Sequence, residues 1–126
     1  MASQNNAAQQ FDRTHAITMV ATAALAANRL AAYDGGYATS AGGIKDAQGV
    51  TQSSAAIDAA VAVTTRYSDL VEASAVIAFG DWIKPAADGT GRAAVGTRTD
   101  NCGRALSGAS AVGVLFEMQI HKHIQP

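Results

Sequence analysis

Residues 88–96 read DGTGRAAVG, and within them Gly89, Gly91 and Ala94 spell GxGxxA, the spacing by which a glycine loop brings a pyrophosphate onto the free N–H groups of a helix start. That chemistry needs a buried strand before the loop and a helix after it. Upstream, AFGDWIKPAADG places Pro85, which cannot donate to a central ladder, ahead of polar turn residues. Downstream, AAVGTRTDNCG is too short and too rich in Gly, Thr and Asn to run as a helix. The stretch instead predicts a β-hairpin, with Asp88-Gly89 turning the chain between strands over residues 81–84 and 92–95.

Other chemistry-bearing residues fare no better. His121 and His123 are two apart on what reads as one strand face, a spacing at which two imidazoles can share a metal, with His15 a distant third. No carboxylate or Cys stands near them in sequence, so the pair reads as a solvated C-terminal tail. Cys102 is alone, which excludes an intrachain disulfide and a CxxC knuckle, and it reads as a small semi-buried loop residue. Ser107 and Ser110 sit in SGASAVG, which lacks the GxSxG pattern and the following helix of a nucleophile elbow. Asp12, Asp34, Asp81, Asp88 and Asp100 mostly adjoin Gly, Arg or Asn in turn settings and single out no acid–base pair. Trp82, alternating with Asp81 and Ile83, reads first as a core residue and second as a subunit contact. No set amounts to a catalytic, cofactor-binding or metal site, so the expectation is a non-enzyme without cofactors.

The elements that carry these residues read as strands. In HAITMVATAALAANRLAAY, Ala and Leu favour a helix, but Ile17, Met19 and Ala21 alternate with Thr18, Val20 and Thr22, and the β-branched cluster favours a strand. Strands are expected over residues 16–22 and 29–33, with a helix as the alternative. Asp34-Gly35 supplies a hairpin-type turn, and residues 59–66 alternate as another strand. In the last strand Val114, Phe116, Met118 and Ile120 point to one side and Leu115, Glu117, Gln119 and His121 to the other, with Phe116, Met118 and Ile120 as core. Residues 1–14 begin with a polar, turn-prone stretch whose one large apolar group is Phe11, the pattern of a flexible arm.

Composition bounds the class. At 126 residues one domain with one modest core is expected. Ala supplies 29 of the 126 residues and aromatics only 6%, so much of the apolar share is small methyl groups. Such a chain gains from burying further surface between subunits. Nine Lys and Arg against ten Asp and Glu give a net charge of −1 without runs, which argues against a nucleic-acid partner. There is no apolar run of about 18 residues to span a membrane and no signal-peptide pattern, so the product is expected to stay in the cytoplasm that makes it.

The chain also parallels itself. Leu25-Ala26-Ala27-Asn28-Arg29-Leu30, leading to Asp34-Gly35, resembles Ile77-Ala78-Phe79-Gly80-Asp81-Trp82, leading to Asp88-Gly89. GVTQSSAAIDAAVAV from Gly49 runs parallel to GRALSGASAVGVLFE from Gly103. Residues 24–65 and 76–121 thus read as two copies of a β module within a single domain over residues 15–126. The expected fold is mainly β, a small barrel or sandwich made by two modules closing on each other.

The phrases LVEASAVIAFGDWIKPAADGTGRAAVG, then CGRALSGASAVG from Cys102, then LFEMQI, resemble in order and spacing the C-terminal half of the small capsid cement, or decoration, proteins of tailed phages. ITMVATAALAANRLAAYDGG is similar to that family's start and Gly49-Val50 to its midpoint, so the resemblance covers residues 15 to 121. The chain departs from the pattern at Gly113-Val114 and in its HKHIQP tail. The resemblance implies a β-tulip or small-barrel fold with an extended N-terminal arm. It implies a structural virion protein that binds the outer surface of an assembled head, with the major capsid protein and further copies of itself, as a homotrimer, for partners. Phe11, Arg13 and Trp82 are the candidate contacts. The alternative is a receptor- or glycan-binding β module of a virion; an enzyme and a major shell protein fit the chain less well.

Overall fold

Alternation at period two carries the chain through nine strands and no helix across residues 15–124, the part that this computed structural model describes. Strands β1 (Ala16–Val20), β2 (Leu30–Ala32), β3 (Ala47–Thr51) and β4 (Ala60–Thr64) form an antiparallel sheet in the order β1-β4-β3-β2. Strands β5 (Tyr67–Glu72), β6 (Trp82–Pro85), β7 (Ala93–Val95), β8 (Asn101–Ala105) and β9 (Leu115–Ile124) form a second, in the order β5-β9-β8-β6-β7. The fold is all-β, as expected, and compatible with a sandwich. Neither sheet closes into a barrel: β1 and β2 are the edges of the first and β5 and β7 those of the second, where an isolated bridge between Ala73 and Ala93 links across.

The two sheets repeat one plan. In the first half, Asn28 N donates to Thr51 O and Thr51 N to Arg29 O; in the second, Gly80 N donates to Ala105 O and Ala105 N to Asp81 O. Leu25 forms a two-way bridge with Ala55 where Ile77 forms one with Ala109. Asp58 N reaches Ala21 O, and Gly113 N reaches Ala73 O. The turns use the same left-handed backbone, at Asn28 (φ 61°) and Gly80 (φ 89°), and at Asp58 (φ 69°) and Gly113 (φ 88°). Asn, Asp and Gly are the residues that tolerate that region. Strands β1, β2, β3 and β4 therefore correspond to β5, β6, β8 and β9.

Close approach explains a second pairing. A Cβ on Gly49 would strike the Thr64 carbonyl, and one on Gly103 would strike the Gln119 carbonyl. These sites on β3 and β8 let the neighbouring strand pack tightly, as a strand glycine does where another backbone comes near. Each half gathers its own apolar residues inward. Met19, Ala21, Leu25, Ala31, Val61 and Val63 form one cluster. The larger cluster combines Val71, Ile83, Phe116 and Met118 of the second half with Leu30 and Val50 of the first, so the main core lies between the sheets.

Several expectations are corrected. The alternative helix after His15 does not form, because Ile17 to Val20 pairs residue by residue with β4. Cys102 lies on β8, fully buried, not in a loop. The closing strand extends to Ile124, so the histidines belong to β9 and not to a solvated tail. Phe116 and Met118 are core with Ile120 packed against them, but Glu117 on the other side is also buried, where Ser68 Oγ donates to its carboxylate at 2.6 Å. Strand β5 has no counterpart in the sequence reading. Its inward Asp69 interrupts the apolar alternation and is buried by accepting a hydrogen bond from Thr64 Oγ1 at 2.7 Å.

Because the close approach at Gly103 is to backbone, Gly103→Val is expected to cost about 2 kcal/mol through overpacking, read as a lowered midpoint in urea unfolding. Gly43→Ala, at an exposed site with open space around it, should stay within about 0.5 kcal/mol of the parent.

Candidate interaction site

The loop that opened the sequence reading is a hairpin connection. Strands β6 and β7 pair antiparallel, Ile83 opposite Val95, Lys84 opposite Ala94 and Pro85 opposite Ala93. The chain turns through residues 86–92 with Gly89 at φ 82° and Gly91 at φ 71°. Gly91 also gives way to the Tyr37 ring, which a Cβ there would penetrate. No helix follows, so there are no helix-terminal N–H groups for a phosphate. Asp88 instead accepts from Thr90 N and Thr90 Oγ1, an Asx-type turn that holds its carboxyl below the ordinary range.

Trp82, on β6, is half-buried rather than core. Its cross-strand partner is Arg104 on β8. The Arg104 guanidinium lies 4.2 Å from the indole centroid, a cation–π stack, and its Nε donates to Gly80 O at 2.9 Å. Trp and Arg are residue types enriched among the anchors of protein interfaces, and here each is held in place by the other. The other two contact candidates, Phe11 and Arg13, lie outside the described residues.

The histidines separate in role. His121 is at the surface with Lys122, its Nδ1 within 2.8 Å of the Lys122 carbonyl. The His123 side chain is 2% exposed, with Nδ1 2.6 Å from Asp46 Oδ1 and Nε2 2.7 Å from Asp100 Oδ1. Carboxylates only accept, so an imidazolium donates to both and a neutral ring to one. The Asp100 carboxyl is held below its ordinary value chiefly by the His123 hydrogen bond, which outweighs the opposing effect of burial with help from the charges of Lys84 and His123. Asp46 precedes β3 while His123 and Asp100 belong to the second half, so this trio fastens the two sheets together. It was invisible in sequence because its members are 46, 100 and 123, and adjacency comes only from the turn at Thr97 to Asp100 meeting the end of β9.

Two further polar links cross the same seam. Glu72 accepts from Arg29 Nη2 at 3.0 Å and from Arg92 Nε at 2.5 Å, and Arg29 Nη1 donates to Thr90 O. The Cys102 thiol is pushed up to about 12 by desolvation, with Asp46 and Asp100 adding to the effect, so it stays protonated at neutral pH and is no nucleophile. Ser107 Oγ accepts from Glu117 N at 2.8 Å, a turn contact. Among the described residues no group of three His, Cys, Asp or Glu is arranged to hold a metal.

No family model and no curated protein matches the sequence. A solved structure does resemble it: the head fiber gp8.5 N base in bacteriophage phi29, with a TM-score of 0.60 over 88% of this chain and 97% of that chain, at 19% identity. At that identity the likeness is one of fold, and it spans nearly the whole of both chains.

Removing the His123 ring leaves the buried Asp46 carboxylate with only the Gly42 and Ala47 N–H groups as donors among the described residues. His123→Leu is expected to lose about 3 kcal/mol of unfolding free energy in denaturant titration. Acid dependence follows from Asp100. Its folded value lies below the ordinary 3.8, so its contribution is complete above pH 3.8 and is lost as pH falls through the lowered value. Melting temperatures of the parent and Asp100→Asn should differ most above about pH 4 and converge in stronger acid.

Proposed function

We propose that this chain is a structural protein of a phage particle that binds the outside of the head and strengthens contacts between capsomers, without catalysis and without a cofactor. The observation that carries this reading is the shared fold, over nearly its full length, with a protein whose name places it on a phage head. The ordered cement-protein phrases over residues 15–121 support the same class. The residues support it by what they are committed to: His123 has both ring nitrogens engaged, Cys102 is protonated and buried, and the glycine loop is a hairpin turn. The partners in this reading are the major capsid protein and further copies of the chain as a homotrimer, with Phe11, Arg13 and Trp82 as contacts. A weak interface repeated over a head lattice becomes strong in sum through effective concentration.

The name of the structural neighbour favours one second reading, in which the domain is the base of an appendage mounted on the head and any receptor or glycan contact belongs to that appendage.

Purified protein added to bare heads of the parent phage is expected to pellet with them and to raise the temperature at which they release DNA. Binding without that rise supports the appendage base; no pelleting at any concentration refutes both readings. Deleting residues 2–12 should leave the melting curve unchanged and weaken head binding about tenfold, the loss expected for one aromatic anchor worth about 1.4 kcal/mol. Full binding by the truncated chain removes the arm from the interface.

A further inference from the structure

The two halves are alike in backbone and unlike in what covers them. On the first half, Leu30 and Val50 are cross-strand partners, both fully buried against the second half. Leu30 shares a core with Cys102, Met118 and Ile120, and together with His121 these residues border one narrow gap. The corresponding pair on the second half is Trp82 and Arg104, in the same register, and it stands at the surface.

The receiving side repeats as well. By the correspondence of β3 with β8 and β4 with β9, Cys102, Ile120 and His121 have Gln48, Thr65 and Arg66 as counterparts on the first half. Those three residues line an open cleft of about 580 Å³, completed by Ile17, Tyr33 and the Ile120 to Lys122 end of β9. One half thus has its receiving surface filled by Leu30, and among the described residues nothing fills the matching surface of the other. Among the described residues, Trp82 and Arg104 are inserted into no surface of their own chain.

We infer that the Trp82–Arg104 face of one copy docks into this cleft on a second copy, repeating between chains the contact that Leu30 and Val50 make within one. The chemistry suits the exchange of Leu30 for Trp82. Ile17 and Tyr33, 45% and 57% exposed, offer apolar surface to an indole. Lys122 rims the cleft with a positive charge that Asp81 beside Trp82 can meet, while Arg104 stays stacked on the indole. Plug and cleft are different surfaces on the same molecule, so the association is head-to-tail and closes into a ring when the rotation per step permits. This inference deepens and rests on the self-association proposed above, and does not depend on head binding.

Sedimentation velocity on the full chain tests it. At about 100 µM, well above the Kd of a weak specific interface, the parent protein should sediment as an oligomer. Trp82→Asp, which spoils the plug, and Ile17→Asp, which spoils the cleft, should each be monomeric. Mixed in equal amounts, they should form a dimer and nothing larger, because only one intact plug and one intact cleft remain between them. Arg104→Glu and Tyr33→Asp, both surface changes, serve in their place if circular dichroism shows either first variant unfolded. A monomeric parent, variants that associate like the parent, or a mixture that stays monomeric overturns the inference. A parent that passes this test but ignores heads overturns only the head-binding reading.

Discussion

Burial of the Leu30–Val50 strand pair against the second sheet is the contact on which the rest of the molecule depends. The chain is rich in alanine, and the sheet interiors show it: Ala31, Ala32, Ala47, Ala73, Ala93 and Ala105 all lie in the core. Each removes little apolar area from water, since burial is worth roughly 0.8 kcal/mol per methylene. The larger side chains are few, and they are divided between the halves. Leu30 and Val50 come from one, Val71, Ile83, Phe116 and Met118 from the other. Neither half assembles that cluster alone, which is why the seam between them, not the interior of either, is the centre of the structure.

The same seam carries the polar order. Thr64 with Asp69, Asp46 with His123, and Arg29 with Glu72 each join a residue of the first half to one of the second, and Glu72 N donates across it to Asn28 O. Alanine methyls pack against one another in many registers. Buried directional bonds admit one, at the cost of desolvating the groups that make them. Apolar contact therefore supplies the attraction between halves, and the buried Asp, His and Arg side chains supply its alignment.

A fold that uses one half to cover the other has a consequence at the surface. Duplication yields two equivalent faces and two equivalent receiving sites, but docking within the chain satisfies only one of each. What is left at the surface of the described residues is the stacked Trp82 and Arg104 and the cleft by Ile17 and Tyr33.

Period-two alternation was enough to place β1, β4, the start of β9 and the β6–β7 hairpin within a residue or two, because a half-buried strand writes its burial into its own sequence. The paired phrases beginning at Leu25 and Ile77, and at Gly49 and Gly103, fall on matching hydrogen bonds, since turns and close strand approaches constrain residue type locally. Trp82 could be singled out as a rare aromatic, but its exposure could not. Strand β5, the burial of Cys102 and Glu117, and the Asp46–His123–Asp100 clasp were beyond local reading. Each depends on which residue arrives from a distant part of the chain. A polar side chain looks solvated in sequence until its partner is known, and only the docking of one sheet on the other brings that partner within hydrogen-bonding distance.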